Sequence, residues 1–260
     1  MTDALSDATS RKVLRPRDAA TLIIVDTTSG EPRVLLGRRR SDLAFLPGRY
    51  VFPGGRVDPS DRLIAVEHDL AHGNIERLMV DMKGNRSPAR ARALALAAVR
   101  ETFEEAGLLI GVPGAPASRP KAEAWQRFFS HGYRPALTQL TFFARAITPP
   151  GRPRRYDTRF FCVAADAIVH RVATDGELSD LEWHSIEQAR TLDLPNITRV
   201  VLEDLGERIA AGALHKSDVP VPFYHRRNGN FHRDLIGPEP HPEAHTDTRP
   251  DTRPDTRLDS

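Results

Sequence analysis

The sequence has little cysteine, few aromatic residues and no long apolar segment. A single cysteine among 260 residues excludes an intramolecular disulfide, and aromatic residues make up 7% of the chain. No segment approaches the roughly 20 consecutive apolar residues that a membrane-spanning helix needs. The first residues also lack the apolar core of a secretory signal. We therefore expect a cytoplasmic protein with no membrane partner.

Neither sign of charge dominates the sequence. The 37 lysine and arginine residues nearly balance 35 aspartate and glutamate residues, which leaves a formal net charge of +2. This balance gives no reason to expect binding to nucleic acid or to an acidic membrane surface. The arginine-rich clusters also lack the interleaved aromatic residues that are typical of single-strand binding. Nucleic acid is therefore not expected as a partner.

Apolar segments and turn residues predict strands and helices in a mixed order. Strands are predicted at 21–25, 34–36, 50–52, 140–147, 159–165 and 181–183, and helices at 88–106, around 122–129 and at 198–211. Helical pieces are also expected within 59–87, broken near Gly73 and Gly84. The order of strands, helix, strands and helix is typical of an α+β domain in which helices pack on a sheet. The absence of a regular strand–helix alternation argues against a doubly wound fold.

The two ends of the chain differ in composition from the middle. Residues 1–17 are small and polar, and residues 238–260 carry a short repeat of Asp-Thr-Arg-Pro with almost no apolar residue. Such segments cannot bury an apolar face, so both are expected to be disordered. The sequence therefore predicts one folded domain over 18–237, flanked by two disordered ends.

A short acidic segment carries the main functional signal. At about 100° per residue, Glu101, Glu104 and Glu105 fall on one side of a helix, opposite an apolar face that includes Phe103. Like charges at this spacing repel, and Arg100 can relieve only part of the repulsion. Hard divalent cations such as Mg²⁺ or Mn²⁺ prefer carboxylate oxygens and would neutralise the cluster. A solvated helix face, in a protein with a purely structural role, is the alternative.

The acidic helix follows a glycine turn, and together the two segments resemble a known motif. In the Nudix box, a glycine and an acidic residue precede Arg-Glu, two residues, Glu-Glu, one residue and Gly. Here Gly55 begins the pattern, Asp61 takes the acidic position and Arg100–Leu108 completes it. Thr102 stands where the family usually has an aliphatic residue. About thirty extra residues separate the two halves, so 59–87 is interpreted as an insertion within the box.

This resemblance to the Nudix hydrolase family implies a fold, a reaction and a set of roles. The fold is an α/β/α sandwich with a mixed β-sheet between helices, and the reaction is metal-dependent cleavage of a diphosphate bond. By resemblance, the metal ligands are Glu101, Glu104, Glu105 and the carbonyl of Gly55 or its neighbour, and Arg100 orients the carboxylates. The metal, Mg²⁺ or Mn²⁺, activates a water molecule. For the general base, the candidates on a later loop are Glu177 and Glu182.

The segment before the box bears on the substrate. Residues 35–55 are similar to the corresponding segment of coenzyme A diphosphatases, and they match it at Leu35, Leu36, Arg39, Gly48 and 52–55 but depart from it at Gly37, Arg40 and Ala44. The arginines expected to bind substrate phosphates are Arg39, Arg49 and Arg56. The expected substrate is a coenzyme A-type or nucleoside-diphosphate-linked small molecule.

Two alternatives stay open at this point. Some Nudix folds are binding or regulatory modules without catalysis, although the three box glutamates favour an enzyme. The 59–87 insertion is expected beside the active site, where it could shape substrate choice or form a homodimer contact.

Overall fold

The structure, a computed structural model, describes residues 14–28, 30–117, 120–216 and 219–237. The predictions for residues 1–13 and for the 238–260 tail lie outside these ranges. The folded part begins at Arg17, one residue earlier than predicted, because its backbone N–H donates to the carbonyl of Arg155 at 3.0 Å. Within the described residues, no helix is long and apolar enough to cross a membrane.

The helices and strands follow the predicted mixed order. The strands are β1 Arg17–Asp26, β2 Arg33–Arg39, β3 Tyr50–Val51, β4 Gly54–Arg56, β5 Leu108–Ile110, β6 Val112–Pro113, β7 Tyr133–Arg134, β8 Thr141–Ile147, β9 Tyr156–Ala164, β10 Ile168–Arg171, β11 Leu178–Ser185, β12 Val221–Arg227 and β13 Asn230–Ile236. The helices are α1 His72–Met79, α2 Pro88–Ala106, α3 Glu123–Ser130, α4 Ile186–Thr191 and α5 Asn196–Ala210.

A mixed sheet forms the centre of the domain. In the described part of the chain it has nine strands, in the order β11-β2-β1-β9-β8-β12-β13, with β3 paired to β2 and β4 paired to β1. The β1–β9 and β8–β12 pairs are parallel, and the other pairs are antiparallel. The pairing of β4 with β1 is what fixes the glycine turn against the sheet.

Both faces of the sheet are covered by helices. Along β1, Leu22 and Ile24 pack into the core beneath α1, α2 and α3, while Ile23 and Val25 pack into the core beneath α4 and α5. A strand that is buried on both faces is apolar at every position, which accounts for the continuous Leu-Ile-Ile-Val run. The predicted α+β fold, an α/β/α sandwich around a mixed sheet, is confirmed.

The acidic segment lies at the end of the longest helix, α2. The Ser87 hydroxyl caps the first turn by accepting from the N–H of Arg90, and Pro88 occupies the first helical position. Gly107 ends the helix in the left-handed region, with φ of 67°. These three residues were the predicted helix boundaries, and the structure confirms them.

Two features of the fold differ from the sequence prediction. The break predicted near Gly73 lies slightly earlier, at 64–71, because α1 begins at His72 and includes this glycine in its first turn. The β12–β13 hairpin was missed, although Asn228 and Gly229 form its turn with φ of 51° and 81°. Most side chains of β13 are exposed, so the strand lacks the apolar alternation on which the prediction relied.

The 59–87 insertion has two parts with different surroundings. Its first residues form a short 3₁₀ turn, Pro59–Leu63, directly beside the second half of the box. Its later part contains α1, which packs on α2 and β8. Buried Asn74 fixes this part by donating to the carbonyl of Leu140 and accepting from the N–H of Phe142. Only the first part therefore reaches the candidate site.

Candidate active site

A buried arginine joins the two halves of the box. The Arg100 guanidinium donates to both carboxylate oxygens of Asp61, at 2.8 and 3.1 Å, and to the Arg56 carbonyl at 2.8 Å. It also donates to Glu101 at 2.9 Å and to Glu104 at 2.5 Å. Burial by itself lowers the pKa of Arg100, but pairing with Asp61 and Glu101 outweighs burial, and the net shift is upward. Arg100 therefore stays charged and holds two of the box carboxylates in place.

Asp61 holds this arginine from the opposite side. It is fully buried, and besides Arg100 it accepts hydrogen bonds from the Trp125 indole at 2.9 Å and from the Asp58 backbone N–H at 2.8 Å. The sequence analysis placed Asp61 at the first acidic position of the box but assigned it no role. The described contacts make it a positioning residue for Arg100, supplied by the first turn of the insertion.

The glycine turn packs directly against the box carboxylates. The Gly54 N–H donates to the Glu105 carboxylate at 2.8 Å. A Cβ atom on Gly55 would lie 2.5 Å from the carboxyl carbon of Glu101. At Gly54 a Cβ atom would lie 2.5 Å from the backbone carbonyl oxygen of Ala20, so glycine is required there. A side chain at Gly55 would instead force the Glu101 carboxylate to move.

Burial perturbs two of the three carboxylates. Desolvation, opposed in part by Arg100, raises the pKa of Glu101 to about 7. Desolvation, opposed by the Gly54 N–H, raises the pKa of Glu105 to about 8. Two neighbouring carboxylates that are costly to ionise alone are typical of functional sites, where a bound cation restores the charged form.

The donor set suits a hard divalent cation. Three carboxylates and the backbone carbonyls of the glycine turn offer oxygen atoms only, which Mg²⁺ and Mn²⁺ prefer. Among the residues that the structure describes, however, no group of three or more His, Cys, Asp or Glu side chains is already arranged around one point. Arg100 and the Gly54 N–H hold the carboxylates instead. The chemistry of the residues nevertheless fits the cation.

A loop after β10 brings one of the two candidate bases to the site. The Thr174 hydroxyl donates to the Glu104 carbonyl at 2.9 Å, and a Cβ on Gly176 would lie 2.5 Å from the same oxygen. These contacts fix the loop on the end of α2. Glu177 then accepts from Arg39 at 2.7 Å, and the same guanidinium lies 3.8 Å from Glu105.

The other four predicted site residues lie in four different places. Arg39 is mostly buried and already engaged by Glu177 and Glu105, so it positions carboxylates in this arrangement. Arg49 lies 3.6 Å from Asp193, and Arg56 lines a cleft beside Glu101. Glu182 is exposed on β11, and its ion contact is with His184 at 3.9 Å, apart from the box carboxylates.

The raised carboxylate pKa values predict an unusual pH dependence of stability. A carboxyl whose folded pKa lies above its ordinary value of 4.5 stabilises the fold fully below that value, and this stability is lost as pH rises through the folded pKa. With chelator, the melting temperature should therefore fall as pH rises from about 5 to about 8. Added Mg²⁺ should restore more stability at pH 8 than at pH 6, because it binds the charged form.

Calorimetry of the protein and of Glu105→Gln, each with EDTA and with Mg²⁺, checks this dependence. In the variant, the melting temperature should fall less with pH and Mg²⁺ should add less stability at pH 8, because glutamine does not titrate. The same profile in both proteins would contradict the role given to Glu105.

The fold and the site can be compared with those of known proteins. No family model matches the chain. The crystal structure of a Nudix hydrolase from Alicyclobacillus acidocaldarius is 29% identical, with a TM-score of 0.56, and the match covers 77% of this chain and 97% of that one. With the glycine turn and the acidic end of α2 in place, the chain resembles the Nudix hydrolases in both fold and site residues.

Among curated proteins, the chain is similar to two acyl-coenzyme A diphosphatases. An acyl-coenzyme A diphosphatase, NUDT19, from Gallus gallus is 28% identical over 208 residues, which cover 60% of this chain and 54% of the relative. The Xenopus laevis protein of the same name is also 28% identical, over 66% of this chain and 63% of the relative. The chain thus spans less than two thirds of the length of these curated relatives.

Proposed function

We propose that this protein is a metal-dependent hydrolase that cleaves a diphosphate bond in a nucleoside-diphosphate-linked or coenzyme A-type small molecule. The observation that carries the proposal is the packing of Glu101 and Glu105 against Gly55 and Gly54, with Arg100 held by Asp61. A buried carboxylate pair next to a side-chain-free backbone gives both a cation and a substrate oxygen room to approach. A purely structural helix face needs neither feature.

The residues divide into ligands and positioning groups. Glu101, Glu104 and Glu105 would hold Mg²⁺ or Mn²⁺, together with the carbonyl of Gly55. When bound, the cation neutralises phosphoryl oxygens and lowers the pKa of a water molecule. Arg100 orients Glu101 and Glu104, and Asp61 keeps Arg100 in place.

Glu177 is the better placed of the two candidate bases. Its carboxylate is bonded to Arg39, which also lies near Glu105, so it adjoins the metal ligands. Glu182 has no such contact in the described chain. We therefore assign proton acceptance from the attacking water to Glu177, with Arg39 fixing its orientation.

The proposed substrate class is supported by the relatives and by the segment before the box. The curated relatives are named acyl-coenzyme A diphosphatases, and residues 35–55 match that group in part. A coenzyme A derivative and another nucleoside diphosphate conjugate are both consistent with these similarities. Cytoplasmic location and a homodimer contact through the insertion stay predictions.

A substrate screen tests this function directly. Purified protein with Mg²⁺ or Mn²⁺ should cleave at least one of coenzyme A, acyl-coenzyme A, ADP-ribose, NADH and dinucleoside polyphosphates, and chelator should abolish the cleavage. Mass spectrometry of the products locates the broken bond. Cleavage of nucleoside triphosphates alone would overturn the substrate class, and binding without any cleavage would favour a regulatory module.

A further inference from the structure

A polar cleft opens beside the acidic end of α2. It encloses about 560 Å³ and is lined by β1, the end of β4 and the first turn of the insertion, with Glu101 and Arg100 at one side. The arginines on its wall come from three separate segments: Arg17, Arg56 and Arg62. All three are exposed. The cleft therefore joins a set of basic side chains to the proposed catalytic centre.

The three exposed arginines of the cleft differ from its acidic residues, which already have hydrogen-bond or ion-pair partners. Asp18 pairs with Arg90 at 2.7 Å and lies 3.6 Å from Arg159, both outside the cleft. Glu101 is bonded to Arg100, and Asp58 accepts from the Ser60 N–H.

By contrast, within the described ranges no hydrogen bond or ion pair engages the guanidinium groups of Arg17, Arg56 and Arg62. Asp58 is exposed in the same cleft and interacts electrostatically with Arg56, so Arg17 and Arg62 are the cleft arginines without a carboxylate partner among the described residues.

We propose that this cleft is a second anion subsite, which binds a phosphate monoester that the substrate carries outside its scissile diphosphate. The inference rests on the proposed function, because one end of the cleft is the metal ligand Glu101. A phosphate dianion offers three acceptor oxygens, and planar guanidinium groups bind such oxygens in pairs. Three arginines on the wall of one cleft suit a dianion better than a carboxylate, which has one charge.

The insertion gives this subsite its specificity. Arg62 belongs to the 3₁₀ turn Pro59–Leu63, and the capping of that turn by Asp58 fixes its direction. The same turn carries Asp61, which is bonded to Arg100. One short segment thus sets both the box arginine and the far wall of the anion cleft. A substrate without the additional phosphate would leave Arg17 and Arg62 unused.

Binding of two nucleotides tests the subsite without requiring turnover. Calorimetric titration with Mg²⁺ should give at least a ~10-fold lower Kd for adenosine 3′,5′-bisphosphate than for adenosine 5′-monophosphate. Changing Arg17 and Arg62 together to Gln should reduce this preference to about threefold or less. Arg152→Gln, an exposed arginine outside the cleft, is the matched control and should keep the preference. Melting temperatures verify that the variants are folded.

The outcomes separate this inference from the proposed function. Equal affinity of the unaltered protein for both nucleotides, or a preference that persists in the double variant, would overturn the subsite. If the protein cleaves a diphosphate but binds the two nucleotides equally well, the proposed hydrolase function is supported and the subsite is refuted. A preference that the double variant loses, in a protein that cleaves no diphosphate, supports the subsite and refutes the hydrolase.

Discussion

Changing Glu105 to Gln is expected to lower kcat/KM by about 10²–10⁴ on the true substrate, at saturating Mg²⁺ or Mn²⁺. Glu105 is buried and accepts the Gly54 N–H, so the amide can keep the shape of the side chain. It loses the negative charge that would neutralise the cation. The fall in kcat/KM reflects weaker stabilisation of the transition state, because the cation would act on charge that develops during cleavage.

Steady-state kinetics and metal titration on the same preparations check this effect. Glu182→Gln is the matched control, since this exposed glutamate touches none of the box carboxylates in the described chain. It should retain nearly full activity. Undiminished turnover by Glu105→Gln, with an unchanged metal requirement, would refute the assignment of the box carboxylates as metal ligands.

Changing Asp61 to Asn is expected to lower the free energy of unfolding by about 3–5 kcal/mol. Asp61 is fully buried and holds Arg100 through two charge-assisted hydrogen bonds. Asparagine can still accept from Trp125, but it leaves the Arg100 charge only partly compensated. Activity should also fall, because Arg100 orients Glu101 and Glu104.

Urea unfolding of this variant should be compared with Asp69→Asn. Asp69 also pairs with an arginine, Arg92, but both side chains are about 31% exposed. Solvent screens that pair, so its loss should cost no more than about 1 kcal/mol. An equal decrease in the free energy of unfolding in the two variants would show that the buried Asp61–Arg100 pair stabilises the fold no more than the partly exposed Asp69–Arg92 pair.

The sequence predicted the parts of the fold whose signals are local. Helix α2 carries its own cap, first-turn proline and terminating glycine, and each sets a boundary independently of the rest of the chain. The central strand β1 carries the continuous apolar run 22–25, because this part of the strand is covered on both faces. The carboxylate spacing that suggested a metal site is likewise contained in one helical turn.

The features that the sequence did not predict depend on distant contacts. The buried surroundings of Asp61 come from Arg100 and Trp125, which are far away in the sequence. Arg39 was expected to bind substrate, yet its partners are Glu105 and Glu177 on other elements. The strands of the β12–β13 hairpin pair through their backbones, and the Asn228-Gly229 turn was its only local signal.

The pairing of Asp61 with Arg100 closes a loop of 39 residues within the box. The entropy of closing a flexible loop grows only with the logarithm of its length, so doubling this length costs about 0.6 kcal/mol. Anchored in this way, the intervening segment can lengthen, shorten or gain a helix while the ends keep their geometry. The box therefore behaves as two half-motifs held together in space, and the number of residues between them is a weak constraint on whether it can form.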